Sequence, residues 1–427
     1  MTMTIIFFLW LFLLLLGTPI YVSFGIASLL YVILQHFQPL IVPQKIAMAA
    51  NSFPLLAAPF FILMGNIMNQ AGVTRRIFNF ANIIVGWLRG GLGHTNVVAS
   101  MIFAGMSGTA VADAGGLGTI EIAAMREGGY DDDFTCGITT ASATIGPIIP
   151  PSLPMVIYGV IAETSVGGLF VGGFIPGILM GVTLMVMVYF YAKKRNYPKR
   201  QFPTLRIIWK GFREAFWALL APVILLGGIF SGVFTPTEAA VIAAFYALIL
   251  GLFIYKEFKI KDLPKMILGT VETNGVVLAL VMTAVLFGWN LAVAQVPQAL
   301  GKIISGISNN PLVILLIINV FLLMVGCFME AIAAMMILVP ILLPVSVNLN
   351  IPAIQFGIII VLNLMIGTIT PPVGVVLYVT ANVAKISFER VTKATAPFII
   401  PLLVVLLLIT LFPILTTFLP KLLLGIQ

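Results

Sequence analysis

Residues Ala143-Thr144-Ile145-Gly146-Pro147-Ile148-Ile149-Pro150-Pro151-Ser152-Leu153-Pro154 set a helix breaker in the middle of a long apolar segment. The pattern occurs twice: Ile145-Gly146-x-Ile148-x-Pro150-Pro151 returns as Ile366-Gly367-x-Ile369-x-Pro371-Pro372, every matching residue displaced by 221 positions. A single break of this kind also reads as a proline kink. The same break in two apolar segments points to a duplicated architecture, and paired interruptions in two halves mark a transporter's binding site. Pro150 and Pro151 lack an N–H and clash with the preceding turn, so the helix has to open near Gly146 and leave backbone groups unpaired. In hydrocarbon such groups persist only against protein or around a wet cavity, where the carbonyls suit a hard cation such as sodium.

Around this stretch the 427 residues are 61% hydrophobic and 8% charged, with mean hydropathy +1.16; soluble domains carry about 25% charged residues. Long unalternating apolar runs exclude barrel strands, so the chain reads as an all-α polytopic membrane protein. Its longest polar interval, about 193–214, is too short for a soluble domain. The formal charge of +8 is clustered between apolar spans and reads as a topology signal, not a nucleic-acid footprint. Cys136 and Cys327 have no CxxC or nearby histidine, which argues against a disulfide or a metal site. Thr4–Leu16 lacks a basic n-region and a cleavage site and reads as a retained helix.

Taken in order, spans are expected at about 3–17, 20–35 and 46–71. The stretch 73–91 mixes Arg75, Arg76 and Arg89 with Ile77, Phe78, Phe80 and Trp87; it reads as an interfacial amphipathic helix or a short span. Residues 95–126 are interrupted at Ser107-Gly108-Thr109 and carry Asp113, which suits a re-entrant hairpin; one glycine-rich span is the other reading. The broken span covers 134–162, and a clean span follows at 166–192. The second half repeats this order: spans at 216–233, 237–255 and 266–290, an interfacial piece near 296–309, a hairpin at 311–346, a broken span at 352–384 and a last span at 395–419. Thr235-Pro236 echoes Thr18-Pro19 at an offset of 217, and the candidate tip Gly326–Glu330 stands 221 residues after Gly105–Thr109. The expected organisation is repeat 1 at 1–192, a basic cytoplasmic linker at 193–215 and repeat 2 at 216–427.

Five spans and a hairpin per repeat force the second copy upside down. The charges agree: with 193–214 in the cytoplasm, Arg75, Arg76, Arg89, Arg126, Lys256, Lys259, Lys261, Lys265, Lys385, Arg390 and Lys393 fall on the same side. Both termini then lie outside, and the two hairpins enter from opposite faces to meet the broken helices near the midplane.

Two candidate cation sites follow. One joins Ser107, Gly108 and Thr109 to Thr144, Gly146 and Pro147; the other joins Gly326, Cys327 and Glu330 to Gly367, Thr368 and Thr370. Hydroxyls and carbonyls supply oxygens without formal charge, although each hydroxyl can instead bond its own helix's i−4 carbonyl. Asp113 and Glu330, at about 2.5–3.5 kcal/mol each if charged at mid-span, either compensate sodium or carry protons. Sodium is the favoured reading, because His36 and His94 fall at predicted span ends and no series of titratable groups runs through the spans. Ser152 restarts a helix after the break, an N-cap-like hydroxyl suited to a carboxylate substrate. HExxH, GxSxG and Walker patterns are all absent, which speaks against an enzyme. A channel is the remaining alternative; inverted repeats suit alternating access better.

At Gly105-x-Ser107-Gly108-Thr109-Ala110-x-Ala112-Asp113 and the two Ile-Gly-x-Ile-x-Pro-Pro motifs, the sequence resembles the large membrane subunit of TRAP transporters, the tripartite ATP-independent periplasmic transporters of the ion transporter superfamily. The resemblance runs the whole length. It implies an elevator mechanism driven by sodium, with no other cofactor, in the bacterial inner membrane. It also implies two partners, a small four-helix membrane subunit and a periplasmic substrate-binding protein. Sodium would be held at the two hairpin and break sites, and substrate would contact Ser107 and Ser152. The small subunit is expected as a separate chain, since this one opens on its first span. The implied substrates are organic acids, with sialic acid first and C4-dicarboxylates or other carboxylates as alternatives.

Reporter fusions after Arg200 and Lys261 are expected to report cytoplasm, and fusions after Pro39 and at Gln427 periplasm. A cytoplasmic C-terminus would remove the inverted-repeat reading.

Overall fold

The computed structural model describes residues 2–426 apart from 297, 300–307 and 309, and the described residues contain helices and no strand. Eight of the described helical segments are long and apolar enough to cross a bilayer. Side chains such as Phe245 and Phe190, more than 60% exposed, present apolar outer faces. Most of the expected interfacial piece at 296–309 lies outside the described residues.

The first half holds α1 (Thr2–Leu15), α2 (Ile20–Leu34), α3 (Ile41–Ala50), α4 (Ala57–Gln70), α5 (Val73–Val85), α6 (Gly91–Ser107), α7 (Gly118–Glu127), α8 (Asp132–Ala143), α9 (Leu153–Ile161) and α10 (Val166–Lys194). Between α6 and α7 lie a one-turn helix, Ala110–Ala112, and a π turn, Asp113–Leu117. The second half holds α11 (Leu205–Phe230), α12 (Pro236–Ile249), α13 (Leu263–Val293), α14 (Pro311–Phe328), α15 (Ala331–Asn348), α16 (Ala353–Gly367), α17 (Val375–Ala384), α18 (Phe388–Leu411) and α19 (Ile414–Leu424).

The punctuation is local chemistry. Gly17 takes a positive φ, Thr18 donates to the Leu13 carbonyl at 2.8 Å, and α1 stops there. Thr235 accepts from the Glu238 amide while Glu238 accepts from the Thr235 amide, and with Pro236 in the first turn this starts α12.

Two expectations are corrected, and the basic interval gains detail. The span expected at 46–71 is broken: α3 ends at Ala50, and a 3-10 turn, Phe53–Leu56, carries Pro54 before α4 begins. Within the basic interval 193–215, α10 runs on to Lys194, residues 195–204 lie outside helices, and α11 begins at Leu205, with Gly211 tucked against Ile83. The last span starts at Phe388 and ends at Leu411, where Pro413 lacks the amide to continue it. Helix α5, at 13 residues, is about 20 Å long and falls short of the ~30 Å hydrocarbon core. It buries Val73, Ile77, Phe78 and Phe80 along one side, as an interfacial helix does.

The helices form two packed groups that also meet each other, α5 lying along α6 and α13 along α15. A frame forms where α4 packs along α12, α13 along α2 and α3, and α5 along α11. A core forms from α6–α10 and α14–α19, in which α8 packs on α18 and α16 on α14 and α15. Asp131–Asp133 anchor one end of the core. Arg126 Nε meets Asp132 Oδ1 at 2.7 Å, Arg390 Nε meets Asp133 Oδ1 at 2.6 Å, and Arg195 and Tyr197 both bond Asp131. Burial alone would push the Asp131 carboxyl up, but those two side chains and the Phe134 amide hold it at about 2. A lowered carboxylate contributes above its unfolded value of about 4 and fades only as pH falls towards 2, so this tie stays closed at physiological pH.

The α8–α18 contact is close enough to test. A Cβ on Gly137 would lie 2.4 Å from the Ala394 carbonyl oxygen, whereas one on Gly227 meets nothing within 4 Å. Gly137→Ala is expected to lower the thermal unfolding temperature of the purified protein, costing about 1–3 kcal/mol. Gly227→Ala is expected to be neutral or slightly stabilising. Equal effects would contradict the packing.

Candidate functional site

Helix α6 and the segment ending in α7 form two antiparallel arms. Leu92 donates its amide to the Tyr130 hydroxyl at 3.4 Å, Asn96 reaches Glu121 at 2.8 Å and Ser100 reaches Asp113 at 3.1 Å, pairing successive turns back towards a tip at Gly108. Gly108 has φ +63, which favours glycine, and a Cβ there would also sit 2.8 Å from the Pro151 carbonyl. The tip lies against the first break: Leu153 N donates to Gly108 O at 3.4 Å, and Gly146 presents its bare Cα about a Cβ contact from the Thr109 carbonyl. Ser107 Oγ is buried with no hydrogen-bond partner, and no bond among the described residues ends on the Thr144 or Gly146 carbonyls.

The second half repeats the arrangement. Helices α14 and α15 meet at Met329-Glu330, Val373 N donates to Cys327 O at 3.1 Å, and the backbones of Gly326 and Gly367 touch. Both Pro150–Pro151 and Pro371–Pro372 bonds are cis. Each broken helix then reaches across: α9 packs on hairpin arm α15, and α17 packs on the π turn and α7. Thr140 and Thr380 hydroxyls meet at 3.0 Å, and Tyr158 donates to the Ala353 carbonyl at 2.9 Å.

A buried polar knot ties each hairpin's first arm to the first part of its broken helix. Asn96 accepts from Ser142 at 2.7 Å while its Nδ2 donates to Glu121 and Thr139. In the second half Asn363 donates to Asn319 at 2.9 Å, and Asn319 donates to Thr410 at 2.9 Å. Asn319 stands 223 residues after Asn96, and Asn363 stands 221 after Ser142. Sequence reasoning missed all of these, and missed Glu121, a wholly buried carboxylate with one unpartnered oxygen. A charge between Ile120 and Ile122 was the signal for it.

Most of the other expected hydroxyls are already engaged. Thr144 donates to Ala141 O, Thr368 to Met365 O and Thr370 to Ile366 O, at 2.6–2.7 Å. Thr109 accepts from the Ala112 amide, and Cys327 Sγ donates to Leu323 O. Ser152 caps α9 by accepting from Met155 N, and donates to Pro147 O at 2.5 Å, so both groups satisfy each other. Glu330 caps α15 through the Ala333 amide at 3.1 Å. Thr109 and Glu330 are therefore the matched pair of caps, and Asp113 is a separate group, buried between the arms with its Oδ2 unpartnered.

The profile of the family described as "Tripartite ATP-independent periplasmic transporter, DctM component" matches residues 7–415. The chain belongs to the DctM family of TRAP transporters. It is a multi-pass membrane permease component of that family, and the family is one of transporters, not enzymes. It is 47% identical to the sialic acid TRAP transporter large permease SiaM of Vibrio cholerae, covering 97% of this chain and 98% of that one. Identity to the sialic acid TRAP transporter permease SiaT of Haemophilus influenzae is 46%, over 97% of this chain and 67% of that longer protein. The C4-dicarboxylate TRAP transporter large permease DctM of Pseudomonas aeruginosa is 41% identical over 88% of each chain. In fold, this TRAP permease is similar to the YdaH transporter of Alcanivorax borkumensis, with a TM-score of 0.63 at 13% identity over 87% of this chain and 86% of that one.

The two glycines at the breaks of this permease are expected to tolerate a methyl group differently. A Cβ on Gly367 would lie 2.4 Å from the Gly326 carbonyl carbon, so tip and break have to part; on Gly146 it would be 3.3–3.4 Å from carbonyl oxygens. Gly367→Ala is expected to reduce uptake in proteoliposomes at least about tenfold, and Gly146→Ala by a few-fold, each tenfold being about 1.4 kcal/mol. The reverse order would contradict the tip contacts.

Proposed function

We propose that this chain is the large permease of a sodium-coupled importer of an organic acid, best matched to sialic acid. It would work in the bacterial inner membrane with both termini in the periplasm. The carrying observation is the buried Ser107 hydroxyl, left without a partner at a hairpin tip that lies against the first break, where the Thr144 and Gly146 carbonyls are uncommitted. A buried polar group without a partner costs about 1–3 kcal/mol, and a bound ion or substrate oxygen supplies the missing bond. Uncharged oxygens in that pattern suit sodium. The second site, with Gly326, Cys327, Glu330, Gly367, Thr368 and Thr370, is proposed for a second ion on the strength of its matched tip-and-break geometry. The higher identity to the SiaM and SiaT relatives supports sialic acid over a C4-dicarboxylate.

Movement would follow the division into frame and core, the core carrying both tips and both breaks across the membrane as an elevator. A small four-helix membrane subunit and a periplasmic binding protein would complete the transporter. Because the Ser152 hydroxyl donates to Pro147 O and accepts from Met155 N, and the Leu153 and Val156 amides are bonded as well, its part would be to fix the helix start; Ser107 and the positive end of the α9 dipole would meet the carboxylate.

With both partners reconstituted, sialic acid uptake is expected to follow an imposed sodium gradient. Ser107→Ala is expected to weaken sodium or substrate affinity by roughly 1–3 kcal/mol, while Thr273→Val, on the frame helix α13 where the hydroxyl bonds Gly269 O, is expected to leave both unchanged. Uptake driven by a proton gradient in sodium-free buffer would instead make Asp113, with its unpartnered oxygen, the coupling group.

A further inference from the structure

Asp113 and Glu121 stand eight residues apart on the returning arm of the first hairpin, one residue more than two regular helical turns take up. The π turn Asp113–Leu117 absorbs that extra residue, so the two carboxylates come onto the same face of the arm. The face lies against α6, where Ser100 donates to Asp113 Oδ1 at 3.1 Å and Asn96 donates to Glu121 Oε2 at 2.8 Å. Asn96 and Ser100 are a single turn apart, so both carboxyls converge on the same short stretch of α6. Both are wholly buried, and each keeps one oxygen without a partner, Asp113 Oδ2 and Glu121 Oε1.

Among the described residues no cation pairs with either carboxylate. The elements packed on this arm are α5, α6, α8 and α17. Arg75 and Arg76 of α5 turn to Glu257, Arg126 at the end of α7 turns to Asp132, and Lys385 lies just past the end of α17. Helix α8 brings Cys136 and Thr139 and keeps Asp132 and Asp133 at its far end, tied to Arg126 and Arg390. On α6 the remaining titratable group is His94, two residues from Asn96 and so on the other side of that helix. Two ionised carboxylates buried together within the bilayer repel each other, with no cation to offset them. Sodium suits the spot poorly: Asn96 and Ser100 aim donors at the pair, and a metal ion would find two open oxygens. A proton needs one oxygen and turns an acceptor into a donor.

We propose that Asp113 and Glu121 form a proton-binding site between the arms of the first hairpin, apart from its tip and from the break, and hold one proton between them. The proton occupies an open carboxyl oxygen, no other bond forms or breaks, and the pair keeps a single negative charge facing the Asn96 and Ser100 donors. The site is also a joint. Asn96 donates to Thr139 of α8 at 2.7 Å, and α17 from the other half packs on the π turn. Loss of the proton restores the repulsion there, pushes the arms apart and loosens the tip on the break. The proton is bound at lower pH and lost at higher pH, so uptake falls on the alkaline side.

The test is the infrared spectrum of the purified full-length permease, in sodium and in choline, where a protonated carboxyl absorbs above the amide band. At neutral pH the wild type is expected to show such a band in both salts and to lose it as the solution is made alkaline. Asp113→Asn and Glu121→Gln are each expected to lose it at neutral pH, because either leaves a lone carboxylate with no neighbour to repel, whereas Glu330→Gln keeps it. A wild type without the band, or a band that survives both substitutions, would overturn the proposal. A band present in choline and abolished by sodium would make the pair a sodium ligand and would overturn it too. The wild-type titration decides the matter even where a substitution prevents folding. Since the spectrum needs no transport, its result is independent of whether sodium drives uptake.

Discussion

Backbone polar groups cannot be left open in hydrocarbon, and this molecule opens two helices there. Once Pro150-Pro151 and Pro371-Pro372 stop α8 and α16, the amides restarting the chain need acceptors inside protein. Those acceptors are the hairpin tips: Gly108 O takes Leu153 N, and Cys327 O takes Val373 N. The glycines at the tips and breaks are needed because backbone meets backbone there, Gly326 on Gly367 most closely. The same geometry brings a tip that carries an unpartnered hydroxyl, Ser107, against a break whose Thr144 and Gly146 carbonyls are open. Structural necessity and candidate site are thus one feature.

The halves interlock around that feature. Each hairpin is tied to its own broken helix by an asparagine-centred bond, and each broken helix continues onto the opposite hairpin. Buried amide networks of this kind are costly to split, and in these two Glu121 Oε1 and Asn363 Oδ1 stand without a partner. Separating a tip from its break would expose the amides that the tip satisfies. Moving the whole core against the frame breaks none of these bonds, which is the physical ground for the elevator reading.

Much of this was legible because it is written in backbone-breaking residues. The 221-residue offset located both breaks and both tips, and Thr235-Pro236 marked a helix start that the structure closes with a capping box. What stayed hidden depends on tertiary neighbours. Asn96 and Asn363 look like isolated polar residues in apolar runs until Ser142 and Asn319 are brought opposite them. Spacing alone did not say that the hydroxyls of Thr144, Thr368 and Thr370 turn back to donate to their own helices, which still leaves their oxygen lone pairs open. The break at 51–54 was masked by the apolar residues around it, and the early start of α11 by Arg206, Lys210 and Arg213, which sit on that helix.

The central claim is that both tips and both breaks hold the coupling ion. Hydrogen–deuterium exchange of the assembled transporter, with sodium and with choline, tests it most directly. Sodium is predicted to slow exchange at residues 105–110 and 144–153, and at 326–330 and 367–376, while the frame helices α2 and α12 stay unchanged. Sodium protection confined to other segments, or equal exchange in the two salts, would contradict the account.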